Sequence, residues 1–163
     1  MQRPDLYKPP MHTASPSPAP SIDHINTDYL ESLVGYNARR AALAVIEMFL
    51  QRMAVYELRP VEFSVLSLIA HNPGITSRQL CSTLGILPPN LVGMINTFEK
   101  RGLIAKRPHP SDGRATGLHP TPPGDALIQK AEETAHDLED EATSRLSSAE
   151  RKTLIRLLKK VYL

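Results

Sequence analysis

The chain is poor in the residues and runs from which catalytic and membrane proteins are built. Cys81 is its only cysteine, and the six histidines (His12, His24, His71, His109, His119 and His136) fall at no metal-ligand spacing such as H-E-x-x-H. It has neither a G-x-S-x-G elbow nor a P-loop, so nucleophilic and nucleotide chemistry have no visible seat. No enzyme, no metal and no cofactor are expected. The longest apolar run, AALAVIEMFL, is interrupted by Glu47 and falls far short of the roughly 20 residues a membrane span needs. No apolar h-region follows a basic start, so a signal peptide is not expected and the location is read as cytoplasmic.

Net charge is also scarce, at +2, so overall electrostatics do not point to nucleic acid and the distribution decides. Residues 96–116 carry Lys100, Arg101, Lys106, Arg107 and Arg114 against Glu99 and Asp112. Residues 124–145 carry seven acids against Lys130 and Arg145. Either run is ordinarily a solvated face, but the basic one coincides with a structural pattern that gives it a use. With 163 residues and 41% hydrophobic content, the chain can bury one core.

The pattern runs from Thr76 to Thr121. Thr76 is an N-cap, Gln79 completes an S/T-x-x-E/Q capping box, and Ile75 can staple against Leu80. Leu80 and Leu84 fall one turn apart, and Gly85 supplies a left-handed stop. Pro88 and Pro89 are tolerated only in a first turn, so a second helix starts near Leu87 or Pro88. Its buried stripe is Leu91, Met94, Ile95 and Phe98. The opposite face carries Asn90, Gly93, Thr97 and Lys100, flanked by Val92 and Asn96. Gly102 stops this helix, and "LIA" begins a strand leading into the loop "KRPHPSDGRATG". Two short helices joined by a turn and followed by a basic hairpin describe a winged helix-turn-helix. The fold class expected is mainly α with a small β-hairpin wing.

The stretch "LGILPPNLVGMINTFEKRGLIAKRPHPSDGRATGLHPTPPG" resembles the DNA-binding core of the MarR family of bacterial regulators. The resemblance is carried by the L-G-I turn, the stretch from Phe98 to Ile104, the D-x-R of the wing and the T-x-x-G opening the next helix. It extends from about Asp28 to the C-terminus. Leu87 departs from it where Asp or Ser commonly caps, as do Pro88, Val92, Gly93, Gly113 and Pro120. The resemblance implies a homodimeric repressor of double-stranded DNA with a pocket for a small aromatic or phenolic effector, for which Tyr36, Arg39 and Arg40 are candidates. It also implies that Arg114, held by Asp112, enters a minor groove at the wing tip.

Outside that core, residues 1–26, with six prolines, read as a disordered arm. Residues 27–163 form the domain, with 60–121 as a DNA-binding lobe and 27–57 and 122–163 as dimerisation helices. From Asp28 to about Arg52 the pattern is one helix, apolar on two faces: Leu30, Leu33, Ala41, Ala44 and Met48, and Tyr36, Leu43, Ile46 and Leu50. Thr121 caps a long helix with the stripe Leu127, Ala131, Thr134, Ala135, Leu138, Ala142 and Leu146. A second capping box at Ser147 to Glu150 opens a last helix whose inward residues are Leu154, Ile155, Leu158 and Val161.

A two-fold dimer would set two reading helices about 34–36 Å apart and so demand a near-palindromic operator. Asn90 is then the base reader, by a bidentate pair with adenine, and Val92 can touch a thymine methyl. Gly93 admits close approach, while Thr97, Lys100, Arg101, Lys106 and Arg107 suit phosphates. Two alternatives stand beside this: a thiol-based sensor using Cys81, weighed against a small buried residue, and a winged helix serving only protein interaction.

Overall fold

Thr76 and Gly85 bracket the first helix of the turn motif as local chemistry requires. The Thr76 Oγ1 accepts from the Gln79 N–H, the Gln79 side chain accepts from the Thr76 N–H at 2.8 Å, and Gly85 ends the helix at φ 63°. In the computed structural model the described residues are 25–109 and 112–163, and the side chains of 109–115 lie outside the description. The expected N-terminal arm falls almost wholly outside it as well.

In chain order the elements are α1 (Asp28–Glu31), α2 (Val34–Met53), a 3-10 turn (Ala54–Tyr56), α3 (Pro60–His71), β1 (Ile75–Thr76), α4 (Ser77–Leu84) and α5 (Pro88–Lys100). The hairpin β2 (Ile104–His109) and β3 (Asp112–Pro120) follows, then α6 (Pro122–Ala142) and α7 (Ser148–Tyr162). The fold is mainly helical with one small antiparallel sheet, as expected, but the sheet has three strands in the order β1-β3-β2. Ile75 and Thr76 pair with Leu118 and Gly117, fastening the start of α4 to the wing. A Cβ on Gly117 would lie 2.9 Å from the Gly74 carbonyl oxygen, so this junction needs glycine.

One core joins both halves. Met53, Leu66, Ile69, Leu80, Leu91, Phe98, Leu118 and Leu138 are fully buried, each worth about 1.5–3 kcal/mol of apolar burial. Phe49 and Phe63 add an edge-to-face pair at 5.5 Å. Helix α6 packs along α2 and α3, burying Gly124, Ile128, Ala131 and Leu138. A Cβ on Gly124 would fall 1.9 Å from the Leu103 carbonyl oxygen, which gives the T-x-x-G opening of this helix its physical reason.

Three sequence expectations are corrected. The segment from Asp28 is two helices, because Asn37 donates to the Glu31 and Leu33 carbonyls at 2.7 and 2.8 Å and stabilises a break between them. On α2 the buried residues are Phe49 and Met53 with Val45 half-buried, a stripe lying between the two apolar faces read from the sequence. On α6, Leu127 packs half-buried against the core as expected, but the unforeseen Ile128 beside it is the more deeply buried, and Leu146 lies past the helix end.

The start of α7 is capped as expected: Ser147 Oγ accepts from the Glu150 N–H, and the Glu150 carboxylate accepts from the Ser147 N–H and hydroxyl. Those bonds hold the Glu150 carboxyl below the ordinary glutamate range. Arg151 donates to Asp140, and that bond holds the Asp140 carboxyl low across the joint between α6 and α7. Beyond this joint α7 is bare. It buries no residue, and Leu154, Ile155, Leu157, Leu158 and Val161 are all exposed.

Candidate nucleic-acid interface

Helix α5 owes its orientation to its own stripe. Leu91, Ile95 and Phe98 are buried, Met94 is half-buried, and the opposite side is left to solvent. That side presents Asn90, Val92, Gly93, Asn96, Thr97 and Lys100, so the residues expected to meet DNA are on one exposed surface. Gly93 has open space where a side chain would stand. The helix begins at Leu87 without a side-chain cap, the consequence of leucine standing where a polar cap is common.

The expected phosphate contacts divide by what already occupies them. Arg101 is corrected to a structural role: its guanidinium donates to the Glu57 and Tyr56 carbonyls at 3.1 and 2.9 Å, and its side chain is only 25% exposed. Glu57 is the one described non-glycine residue at positive φ, 52°, so Arg101 ties the end of α5 to a strained reversal between α2 and α3. Thr97 donates to the Gly93 carbonyl at 3.0 Å and would have to give up that bond to serve a phosphate, which only accepts. Lys106 pairs with Glu99 at 2.8 Å, with both side chains more than a third exposed, so the pair is weak enough to exchange. Lys100 and Arg107 are exposed. Asp112 and Arg114 at the wing tip lie outside the described side chains.

Two exposed positions were not anticipated. Arg78 stands in the first turn of α4, the helix that crosses the DNA backbone in helix-turn-helix proteins, and a cation there was findable from that rule. Leu87 is 68% exposed at the tip of α5, and its apolar side chain had no signal beyond its departure from the usual cap.

The structure does not gather the effector candidates into a site. Tyr36 is half-buried and Arg39 and Arg40 are exposed near the start of α2. Neither of two surface depressions includes them: one is lined by Asn72, Pro73, Gly74, Ile75, Gln79 and Thr83, the other by Pro60, Val61, Ser64, Leu84 and Ile86. Cys81 is half-buried on α4 and packs against the core.

A family model described as MarR family matches residues 56–115, from the reversal held by Arg101 through α5 to the wing. A transcriptional regulatory protein for the hcr operon of Thauera aromatica is 33% identical over 130 residues, covering 79% of this chain and 78% of that protein. The chain belongs to the MarR family. Among solved structures, the transcriptional repressor CouR bound to a 23-mer DNA duplex is 36% identical, with a TM-score of 0.81, covering 86% of this chain and all of that one. A structure of Bordetella bronchiseptica BpsR, whose DNA binding is regulated by 6-hydroxynicotinic acid, is 25% identical with a TM-score of 0.74, over 80% of this chain and 94% of that one. This MarR chain is a DNA-binding transcriptional regulator, and none of its described helices is long and apolar enough to cross a membrane.

Proposed function

We propose that this protein is a ligand-responsive repressor that works in the cytoplasm as a homodimer on a near-palindromic operator. The observation that carries the reading is the uncovered apolar surface at the two chain ends. Helix α7 packs scarcely at all on its own chain, and Leu157 and Leu158 stand 49% and 40% exposed with Leu33, Leu43 and Ile46 on the first helices. An isolated helix of this length is marginal in water, so it needs a partner, and a second copy supplies a matching surface through two-fold symmetry. Residues 27–57 and 122–163 then form the dimer framework and 60–121 the reading lobe, although α6 also closes the protomer's own core.

On the operator, α5 enters the major groove with Asn90 as base reader, while Lys100, Lys106, Arg107 and Arg78 meet phosphates. Repression is supported by the similarity to CouR, and an aromatic acid as effector by the similarity to BpsR. Tyr36, Arg39 and Arg40 suit such an anion if the partner's surface completes the site.

The test is binding to an operator selected from genomic fragments, followed by sedimentation. Two chains per duplex are expected. Asn90→Ala should weaken operator binding by about 1–3 kcal/mol and leave random DNA nearly unaffected. One chain per duplex, or equal loss on both DNAs, would overturn the reading.

A further inference from the structure

We propose that the tip of α5 selects thymine in the operator through its C5 methyl groups, read by Leu87 and Val92. The inference deepens the proposed function and rests on α5 lying in the major groove.

It begins from the donors at the helix start. A helix N-terminus ordinarily leaves its first backbone N–H groups unpaired, and those donors make it a seat for phosphate. Here Pro88 and Pro89 have no N–H, and the N–H groups of Asn90 and Leu91 both turn back to the Leu87 carbonyl, at 3.1 and 3.3 Å. The backbone N–H groups of the first helical turn are therefore absent or already paired, which leaves the Asn90 amide as the tip's side-chain donor, and Leu87 has no side-chain oxygen to cap the helix.

In place of donors it offers apolar surface. Leu87 is 68% exposed and Val92 54% exposed, with Pro88 and Pro89 exposed between them and Gly93 beside Val92. Asn90 is the only polar side chain from Leu87 to Gly93. Base edges in the major groove present hydrogen-bonding atoms at every pair, and their one aliphatic feature is the thymine methyl. An apolar tip pressed on any other base would strip water from polar atoms without replacing their hydrogen bonds. Leu87, the N-cap, and Val92 are about 7.5 Å apart in rise and about 140° apart around the axis of α5, so they meet different base pairs and each would reach its own methyl. Asn90 between them suits adenine, and the part of each half-site under the tip should be rich in A·T pairs.

The experiment replaces thymine by deoxyuridine, which removes only the methyl, one position at a time across the selected operator. Wild-type protein, Leu87→Ala, Val92→Ala and Asn90→Ala are titrated against each duplex. Both apolar side chains are exposed, so thermal unfolding of the variants should match wild type. Wild type is expected to lose about fourfold in affinity at each contacted thymine, the worth of one buried methyl-sized group. Leu87→Ala and Val92→Ala should each bind the thymine operator less tightly by a similar factor, and each should become indifferent to deoxyuridine at its own position. If wild type binds the deoxyuridine operators equally well, or the loss persists in both alanine variants, the assignment is overturned. Asn90→Ala separates the two levels. If it keeps full preference for operator over random DNA, α5 is not the reading helix and the broader proposal falls with this one; if it loses that preference while deoxyuridine has no effect, only the methyl readout fails.

Discussion

At the scale of single residues, two glycines show how differently the same absence of a side chain can be used. Gly124 is excluded from every substitution by the Leu103 carbonyl, 1.9 Å from where a Cβ would stand, and its role is to let α6 close on the segment between α5 and β2. Gly93 meets no such obstacle: nothing lies within 4 Å and its backbone is helical. A glycine inside a helix costs about 0.5–1 kcal/mol relative to alanine, so its presence at an exposed position of α5 gives up stability, which close approach of the backbone to DNA, as proposed, would explain. Gly93→Ala is therefore expected to raise the unfolding free energy by about that amount while weakening operator binding at least about threefold, a free-energy change of about 0.7 kcal/mol. Thermal unfolding and operator titration of the same preparation check both signs, and a gain in both would show that the backbone at Gly93 stays clear of the duplex.

At the scale of elements, legibility followed the range of the interactions. Helix α4 was readable because Thr76, Gln79 and Gly85 act on backbone groups within one turn, and the exposed face of α5 was readable because four apolar residues at helical spacing leave only one side wet. β1 was not readable: two residues carry no period, and their partners Leu118 and Gly117 lie some forty positions away. Helix α2 is apolar on more than one side, so spacing alone could not pick Phe49 and Met53 as the buried pair. The partners of Arg101 were not legible for the same reason, since a cation at a helix C-terminus looks like a phosphate contact, whereas its guanidinium donates to the distant Tyr56 and Glu57 carbonyls. Charge-assisted hydrogen bonds are worth about 1.5–3 kcal/mol when buried, and partial exposure reduces that. Arg101→Ala should thus destabilise the protein by about 1–3 kcal/mol in urea unfolding, yet change operator affinity less than threefold once corrected for the folded fraction. A large affinity loss with unchanged stability would return Arg101 to the interface.

At the scale of the whole molecule, the reading helices and the uncovered helices belong to one mechanical problem. The core that fixes α5 through Leu91, Ile95 and Phe98 is continuous through Met53 and Leu138 with α2 and α6, so in the proposed dimer the spacing of the two α5 helices would follow from how the chain ends of two copies meet. The proposed near-palindrome would accept one spacing, about 34–36 Å, and the ligand proposed to sit near Tyr36, Arg39 and Arg40 could release DNA only by binding a different spacing more tightly. The coupling needed is modest, about 1.4 kcal/mol for each tenfold loss of operator affinity. Thermodynamic linkage makes the effect mutual, so an aromatic acid that weakens operator binding tenfold must itself bind tenfold more weakly to the protein already saturated with operator. Calorimetric titration of 6-hydroxynicotinic acid and related aromatic acids, with and without operator, measures this directly. Unequal affinities in the two titrations identify an effector; equal affinities for an acid that does bind show that it occupies the protein without touching the switch.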